Sequence, residues 1–257
     1  MAGARSGPFD VVAGPARRLV IAQQPAGAIA GSRFLQPLAV RIADACGGFT
    51  TTADRPVFAS LATNLDEGHV SGTTTVDSVA GLATFVDLSL ERAISGYSLR
   101  VQASGLDDDI SAPFNVAPGQ LTHFSVSGPA SVVSGASAVF TAVALDGYEN
   151  EIFDHAGTAR VFVTDAKAQA PPQIAFNPRG ATTFSVVFTA AGTQIVTIAD
   201  LEKANARGSA SIEVTTATPT RRNGGGCGST GNTDLGTLLA FGLAARWRRR
   251  IRSLRFL

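Results

Sequence analysis

Two stretches of this 257-residue chain, Ser6-Gly7-Pro8-Phe9-Asp10-Val11 and Ser111-Ala112-Pro113-Phe114-Asn115-Val116, read alike at an offset of 105 residues, and Gly14 and Gly119 fall in step behind them. A looser third copy runs Gly208-Ser209-Ala210-Ser211-Ile212-Glu213-Val214. Self-similarity at a fixed spacing means that one structural unit recurs, here closing about every 100 residues. A second landmark falls inside each unit. Val40-Arg41-Ile42-Ala43-Asp44-Ala45-Cys46-Gly47 in the first corresponds to Ala142-Val143-Ala144-Leu145-Asp146-Gly147-Tyr148-Glu149-Asn150 in the second. An apolar run that stops at Asp and passes through Gly or Asn predicts a strand entering a tight turn, because those residues accept left-handed backbone.

Between the landmarks the apolar residues recur at every second position. Tyr97, Leu99, Val101 and Ala103 alternate with Ser98, Arg100 and Gln102; Phe184, Val186 and Phe188 alternate with Thr183, Ser185 and Val187; Ala210, Ile212 and Val214 alternate with Ser211 and Glu213. A period of two buries one face of a strand and wets the other. Further strands are expected at 19–22, 38–43, 57–61, 82–88, 121–126, 138–145, 159–163 and 194–199. Short strands broken by Gly, Pro, Asn and Asp, at about seven per 100 residues, predict an all-β chain of antiparallel sandwiches. Charged residues make up only 16%, against about 25% in an average soluble protein, which argues against coiled coils and charged helical bundles.

The expected organisation is residues 1–16 as the terminal strand of a preceding repeat, sandwiches over 17–117 and 119–215, a Gly/Thr-rich flexible linker over 216–234, and a short apolar and basic helix over 235–257. The join Val116-Ala117-Pro118-Gly119-Gln120 is brief, and so short a connection restricts swinging and suits an elongated rod. The net charge of +1 hides a division. Residues 1–220 carry −6 and residues 221–257, with eight Arg against Asp234, carry +7. A mildly acidic body lacks the basic face that a phosphate backbone needs, so no nucleic-acid partner is expected.

Catalytic chemistry finds little support. His69, His123 and His155 are scattered, without a Cys or His neighbour at metal-ligand spacing, and they read as ordinary loop or strand-surface histidines. Asp154 adjoins His155 but no nucleophile motif of the Gly-x-Ser-x-Gly kind accompanies them. The chain is therefore expected to be no enzyme and to need no cofactor. Acidic clusters at Asp66-Glu67, 149–154 and Asp107-Asp108-Asp109 lack the spacing of a defined calcium loop; the last is the best calcium candidate. Cys46, in the first Asp turn, reads as an incidental small residue, and pairing with Cys227 is not expected.

The strand pattern resembles bacterial immunoglobulin-like repeats of large surface and secreted proteins. The resemblance rests on Gly72-Thr73-Thr74-Thr75-Val76, Gly81-Leu82-Ala83-Thr84-Phe85-Val86-Asp87-Leu88 and Gly96-Tyr97-Ser98-Leu99 in the first unit. In the second it rests on Ala156-Gly157-Thr158-Ala159-Arg160-Val161 and Thr189-Ala190-Ala191-Gly192-Thr193-Gln194-Ile195. It covers residues 9–214 and implies spacer or adhesive modules. Antibody hallmarks are missing: no Cys pair is placed to bridge the sheets, and Trp247 lies in the tail.

The C-terminal segment resembles the myxobacterial C-terminal sorting signal. Gly226-Cys227-Gly228 stands for its Gly-Cys motif, the run 235–245 with Leu235, Leu238, Leu239, Phe241 and Leu243 for its membrane helix, and Arg246, Arg248, Arg249 and Arg250 for its basic cluster. The resemblance implies processing and attachment at Cys227, with the arginines retained on the cytoplasmic side. The apolar run spans only about 16 Å as a helix, against a hydrocarbon core of about 30 Å. These readings together predict a non-enzymatic structural or adhesive protein of the cell surface or outer envelope, or a secreted one, joined to the envelope or membrane through its tail. The alternatives are a module that binds a glycan or surface protein, and the C-terminal part of a larger exported enzyme. Residues 1–7 offer no apolar core for an export signal, which is the ground for expecting further repeats and a signal before Met1.

Overall fold

A computed structural model of the chain describes residues 12–62, 68–177 and 180–217, together with positions 7 and 10. These residues form strands β1 (Arg18–Gln23), β2 (Ala28–Ile29), β3 (Leu38–Ala43), β4 (Pro56–Leu61), β5 (Thr75–Asp77), β6 (Leu82–Phe85), β7 (Ser95–Tyr97), β8 (Leu99–Gln102), β9 (Asp109–Ile110) and β10 (Phe114–Ala117). They continue as β11 (His123–Ser127), β12 (Ser131–Val133), β13 (Ser137–Leu145), β14 (Thr158–Val163), β15 (Gln173–Ala175), β16 (Ala181–Val187), β17 (Gly192–Asp200) and β18 (Arg207–Thr215). No helix occurs among the described residues.

The second half shows the topology most plainly. One sheet has the order β11-β13-β16 and the other β12-β18-β17-β14-β15. All pairings are antiparallel except β12 with β18. Three strands facing a larger sheet, with the first strand's continuation crossing over to pair in parallel with the last, is an immunoglobulin-like sandwich. The first half repeats the plan with sheet β1-β3-β6 opposed by β5-β4-β8-β9 and β2-β10-β7, and β2 again pairs in parallel with β10.

Where the second half has two continuous strands, the first has two broken ones. Ser98 interrupts β7 and β8, and the Ser111 hydroxyl takes the Leu99 N–H at 2.9 Å while donating to the Ala112 carbonyl at 2.9 Å. A side chain thereby supplies the partner that a regular ladder would have provided, and the register shifts between Phe114 and Asn115. The alternation from Tyr97 to Ala103 is one strand by pattern and two by hydrogen bonding. Its burial follows the pattern all the same: Tyr97, Leu99 and Val101 are each 0% exposed.

The buried apolar side chains fall into two clusters, one from residues 19–116 and one from 124–214. Tyr97, Phe85, Leu38 and Ile42 centre the first; Phe140, Phe188, Ile198 and Ile212 centre the second. Phe140 stacks on Phe184 at 5.7 Å and meets Phe188 edge-on at 6.3 Å between ring centroids. Its edge presses against Gly128, where a Cβ would lie 2.5 Å from the ring. Cys46 is exposed and free, so neither cluster has a cystine at its centre. Phe140→Ala should cost about 3 to 5 kcal/mol in urea unfolding, whereas Val139→Ala on the wet face of the same strand should change stability by less than about 0.5 kcal/mol.

Candidate functional site

The clearest constellation of functional side chains grows from the second Asp turn. Asp146 follows β13 and is 1% exposed. Its Oδ1 accepts the N–H groups of Tyr148 at 2.8 Å and Asn150 at 3.0 Å, the local capping expected of Asp in a tight turn. Its Oδ2 accepts the Gly119 N–H at 2.7 Å and the Asn150 side-chain amide at 2.9 Å. Gly119 belongs to the connection between the sandwiches, so one carboxylate fastens the incoming chain to the turn. Burial alone pushes this carboxyl up; the hydrogen bonds from Asn150, Gly119 and Tyr148 outweigh it and hold its pKa below the ordinary 3.8.

Asn150 carries the contact across to the first sandwich. Its Nδ2 donates to the Glu91 carbonyl at 2.7 Å, and its Oδ1 accepts the Ala93 N–H at 2.9 Å. A primary amide presents a donor and an acceptor side by side, so it satisfies a backbone segment as a neighbouring strand would. Asn150 is 7% exposed, and leaving those backbone groups unpaired there would be costly. Tyr148 lies over Gly31, where a Cβ would stand 2.1 Å from Tyr148 Cε2. Both sandwiches belong to one compact unit, Met1–Ala217.

The turn departs from its sequence reading in one respect. Its left-handed residue is Glu149, with φ of 62°, and neither Gly147 nor Asn150 has positive φ. The corresponding position in the first turn is Gly47, with φ of 92°. Asp146 fixes the amides on either side of Glu149, and that double anchorage imposes the conformation whatever side chain is present.

Asp44 repeats the contact with the glycine ahead of its sandwich, without the crossing contact. It accepts the N–H groups of Gly14 at 2.7 Å, Cys46 at 2.9 Å and Gly48 at 2.8 Å, and these bonds, Gly14's foremost, hold its pKa below 3.8. Cys46 and Gly48 stand where the second turn has Tyr148 and Asn150, so this turn has neither the ring nor the amide that spans the joint. At the far end of the second sandwich, Gly135 N–H donates to the Phe188 carbonyl as Gly31 N–H does to Leu90. The carbonyl equivalent to that of Glu91 belongs to Thr189, and it is occupied by the sandwich's own Ser134 hydroxyl at 2.9 Å. Asp165 closes this end, accepting the N–H groups of Ala190, Thr189 and Lys167, which hold its pKa down at about 2.

The sequence candidates fall elsewhere. Asp107, Asp108 and Asp109 are dispersed onto different partners. Asp107 pairs with Arg17 at 3.3 Å, Asp108 takes the Gln102 amide at 2.9 Å, and Asp109 Oδ2 takes the Ile21 N–H at 2.8 Å. Among the described residues no group of three potential metal ligands occurs. His123 lies 3.2 Å from Glu149. His155 is not a surface histidine: its ring packs against Phe176 at 5.0 Å and Phe124 at 5.8 Å, and the acid beside it is Asp200 at 3.7 Å, not Asp154. Gly226, Cys227, Gly228, Leu235, Leu238, Leu239, Phe241, Leu243, Arg246, Arg248, Arg249 and Arg250 lie outside the described residues. Among the described residues no helix is long and apolar enough to cross a membrane.

No protein-family model and no curated protein matches the chain. Solved structures do resemble it. The Escherichia coli adhesin FdeC is 20% identical with a TM-score of 0.40, over 79% of this chain and 66% of that one. The D00-D0 domain of Intimin is 12% identical with a TM-score of 0.40, over 77% and 98%. A β-glycosidase from Bacteroides vulgatus is 8% identical with a TM-score of 0.36, over 78% and 25%.

Two predictions follow from this geometry. Gly31→Ala and Gly135→Ala both place a side chain at positive φ, a strain of about 1 kcal/mol, but only Gly31 has a ring in the way. In urea unfolding Gly31→Ala should cost at least twice as much as Gly135→Ala, and adding Tyr148→Ala should recover the excess. Secondly, Asp44, Asp146 and Asp165 all have depressed pKa values. Their contribution is therefore complete above the ordinary carboxylate range and is lost as pH falls through the folded values, for Asp165 toward about 2. Asp165→Asn should destabilise the protein more at pH 6 than at pH 3.

Proposed function

We infer that this chain is a non-enzymatic structural and adhesive part of a cell-surface or exported protein, its immunoglobulin-like sandwiches serving as coupled spacers. The observation that carries this reading is the joint. Independent domains on a tether need no buried carboxylate to hold the tether and no buried amide to cross between them, whereas a spacer that transmits position needs both. The joint lies in the short connection and its adjoining turn, and it presents no array of nucleophile, base and oxyanion donors that a reaction would use. The tail supplies the finer part of the proposal. Cys227 within Gly226-Cys227-Gly228, the apolar run from Leu235 and the arginines 246 and 248–250 are the elements of a sorting signal that would fix the sandwiches outside the envelope.

Two measurements test this. Calorimetry of the full chain should give one coupled unfolding transition. Asn150→Ala, which leaves the Glu91 carbonyl and Ala93 N–H without their partner, should lower the first sandwich's contribution by about 1 to 3 kcal/mol and split the transition in two. An unchanged single transition would contradict the spacer reading. In the native host, Cys227→Ala should move the protein from the envelope fraction to the medium; unchanged fractionation would dispose of the anchoring claim and leave the joint standing.

A further inference from the structure

The outward face of the five-stranded sheet carries a hollow of about 430 Å³ bordered by Arg160, Phe162, Ala199, Leu201, Ala204 and Arg207. Strand register builds it. Arg160 on β14 pairs with Ala199 on β17, and Ala199 pairs with Arg207 on β18. The two arginines therefore share one row and one face, two strand spacings or about 10 Å apart at their Cα atoms. The residue between them is the smallest that has a side chain at all, so the row has cationic ends and a low floor. Phe162 stands two residues along β14 from Arg160, hence on the same face, and is 50% exposed; Leu201 at the end of the hollow is 47% exposed. Asp200 borders the same space through its backbone. Its side chain belongs to the opposite face, in register with buried Ala159, and accepts the N–H groups of Glu202 and Lys203.

The register thus brings two cationic side chains into one row. Residues 1–220 carry −6, yet among the described residues no acid pairs with Arg160 or Arg207. Arg207 spends its Nε on the Ala204 carbonyl at 2.9 Å, which fixes the guanidinium over the hollow's edge. The matching face of the first sandwich shows the contrast. There Arg100 is paired with Ser60 and Ile110 in its row, and Asp108 stands 3.7 Å away to neutralise it. Two unneutralised guanidinium groups around an apolar floor, with an exposed aromatic ring beside them, fit a planar anion attached to a ring that has an apolar face.

We propose that this hollow binds a carboxylated sugar unit, a uronate or a sialate, of a surface glycan. The guanidinium fork matches a carboxylate with two parallel hydrogen bonds, Phe162 offers a stacking surface for the sugar's C–H face, and the Ala199 floor admits the ring. A nucleic acid is disfavoured by the acidic surroundings, and a phosphate alone would leave the aromatic unused. The proposal is independent of the joint and of the tail, so its failure leaves the spacer and anchoring readings untouched.

Titration calorimetry on the full chain decides it, with sialyllactose and a hyaluronan tetrasaccharide as the carboxylated probes, and lactose and dextran sulfate, a polyanion without carboxylates, as comparisons. At least one carboxylated probe should bind, and which one does distinguishes sialate from uronate. Lactose and the methyl ester of the binding sugar should not bind. Arg160→Gln and Arg207→Gln should each weaken binding about tenfold or more, and Phe162→Ala should weaken it as well, all with unchanged melting temperature. Arg→Lys at either position, which retains charge but loses the fork, should restore only part of the affinity. The proposal is overturned if neither carboxylated probe binds at millimolar concentration, if the Arg160→Gln/Arg207→Gln double variant binds as the parent does, or if dextran sulfate binds the parent as tightly as the carboxylated probe and loses affinity in the same variants.

Discussion

The carboxylate of Asp146 is the constraint on which the joint depends. A charged group this deeply buried is tolerated only when its lone pairs are filled, and Asp146 fills them with groups from two places in the chain: its own turn and the glycine that enters the second sandwich. That requirement fixes the turn, forces Glu149 into left-handed backbone, and points Asn150 outward to the first sandwich. The connection cannot swing without leaving a buried negative charge short of partners. The stiffness we infer for this joint rests on polar satisfaction and not on the apolar cores on either side.

The repeated plan makes the specialisation of each end visible. Both Asp turns hold the glycine that leads into their own sandwich, but only the second has a ring and an amide with which to reach another sandwich. Both sandwiches carry the glycine turn that serves as a seat, yet Ser134 occupies in the second what Asn150 occupies in the first. One interface was thus built from a few side chains on a common scaffold: Tyr148 against Cys46, Asn150 against Gly48, and Ala30 against Ser134. The same economy separates the outward sheet faces, where Asp108 neutralises Arg100 and, among the described residues, no acid pairs with Arg160.

Much of the fold was legible because alternation records burial directly. The strands expected at 38–43, 57–61, 138–145 and 159–163 match the observed ones to within a residue at either end. The short strands β2, β9, β12 and β15 were not legible, since two or three residues held by backbone pairing leave no periodic trace. The expected strand at 82–88 stops at Phe85, although Leu88 stays buried. At the joint, the Asp landmarks and the Gly14 and Gly119 correspondence were visible as repeated letters, but their meeting through a hydrogen bond was not. Nothing in the sequence placed Asn150 against Glu91 and Ala93, because that contact joins positions 57 and 59 residues apart. His155 lies in a loop, as expected, but its packed surroundings were not legible for a similar reason: its aromatic neighbours come from β11 and from beside β15, and its acid from the end of β17.

The most direct test of the central claim is the spread of distances between the sandwiches, measured by electron paramagnetic resonance on spin labels placed at exposed Val79 and Val139 in a Cys46→Ser, Cys227→Ser background. A narrow distribution that broadens in Asp146→Asn and Asn150→Ala is the result expected of a joint held by these side chains. An equally broad distribution in the parent and both variants would show that the two sandwiches move freely and that the buried contacts do not couple them.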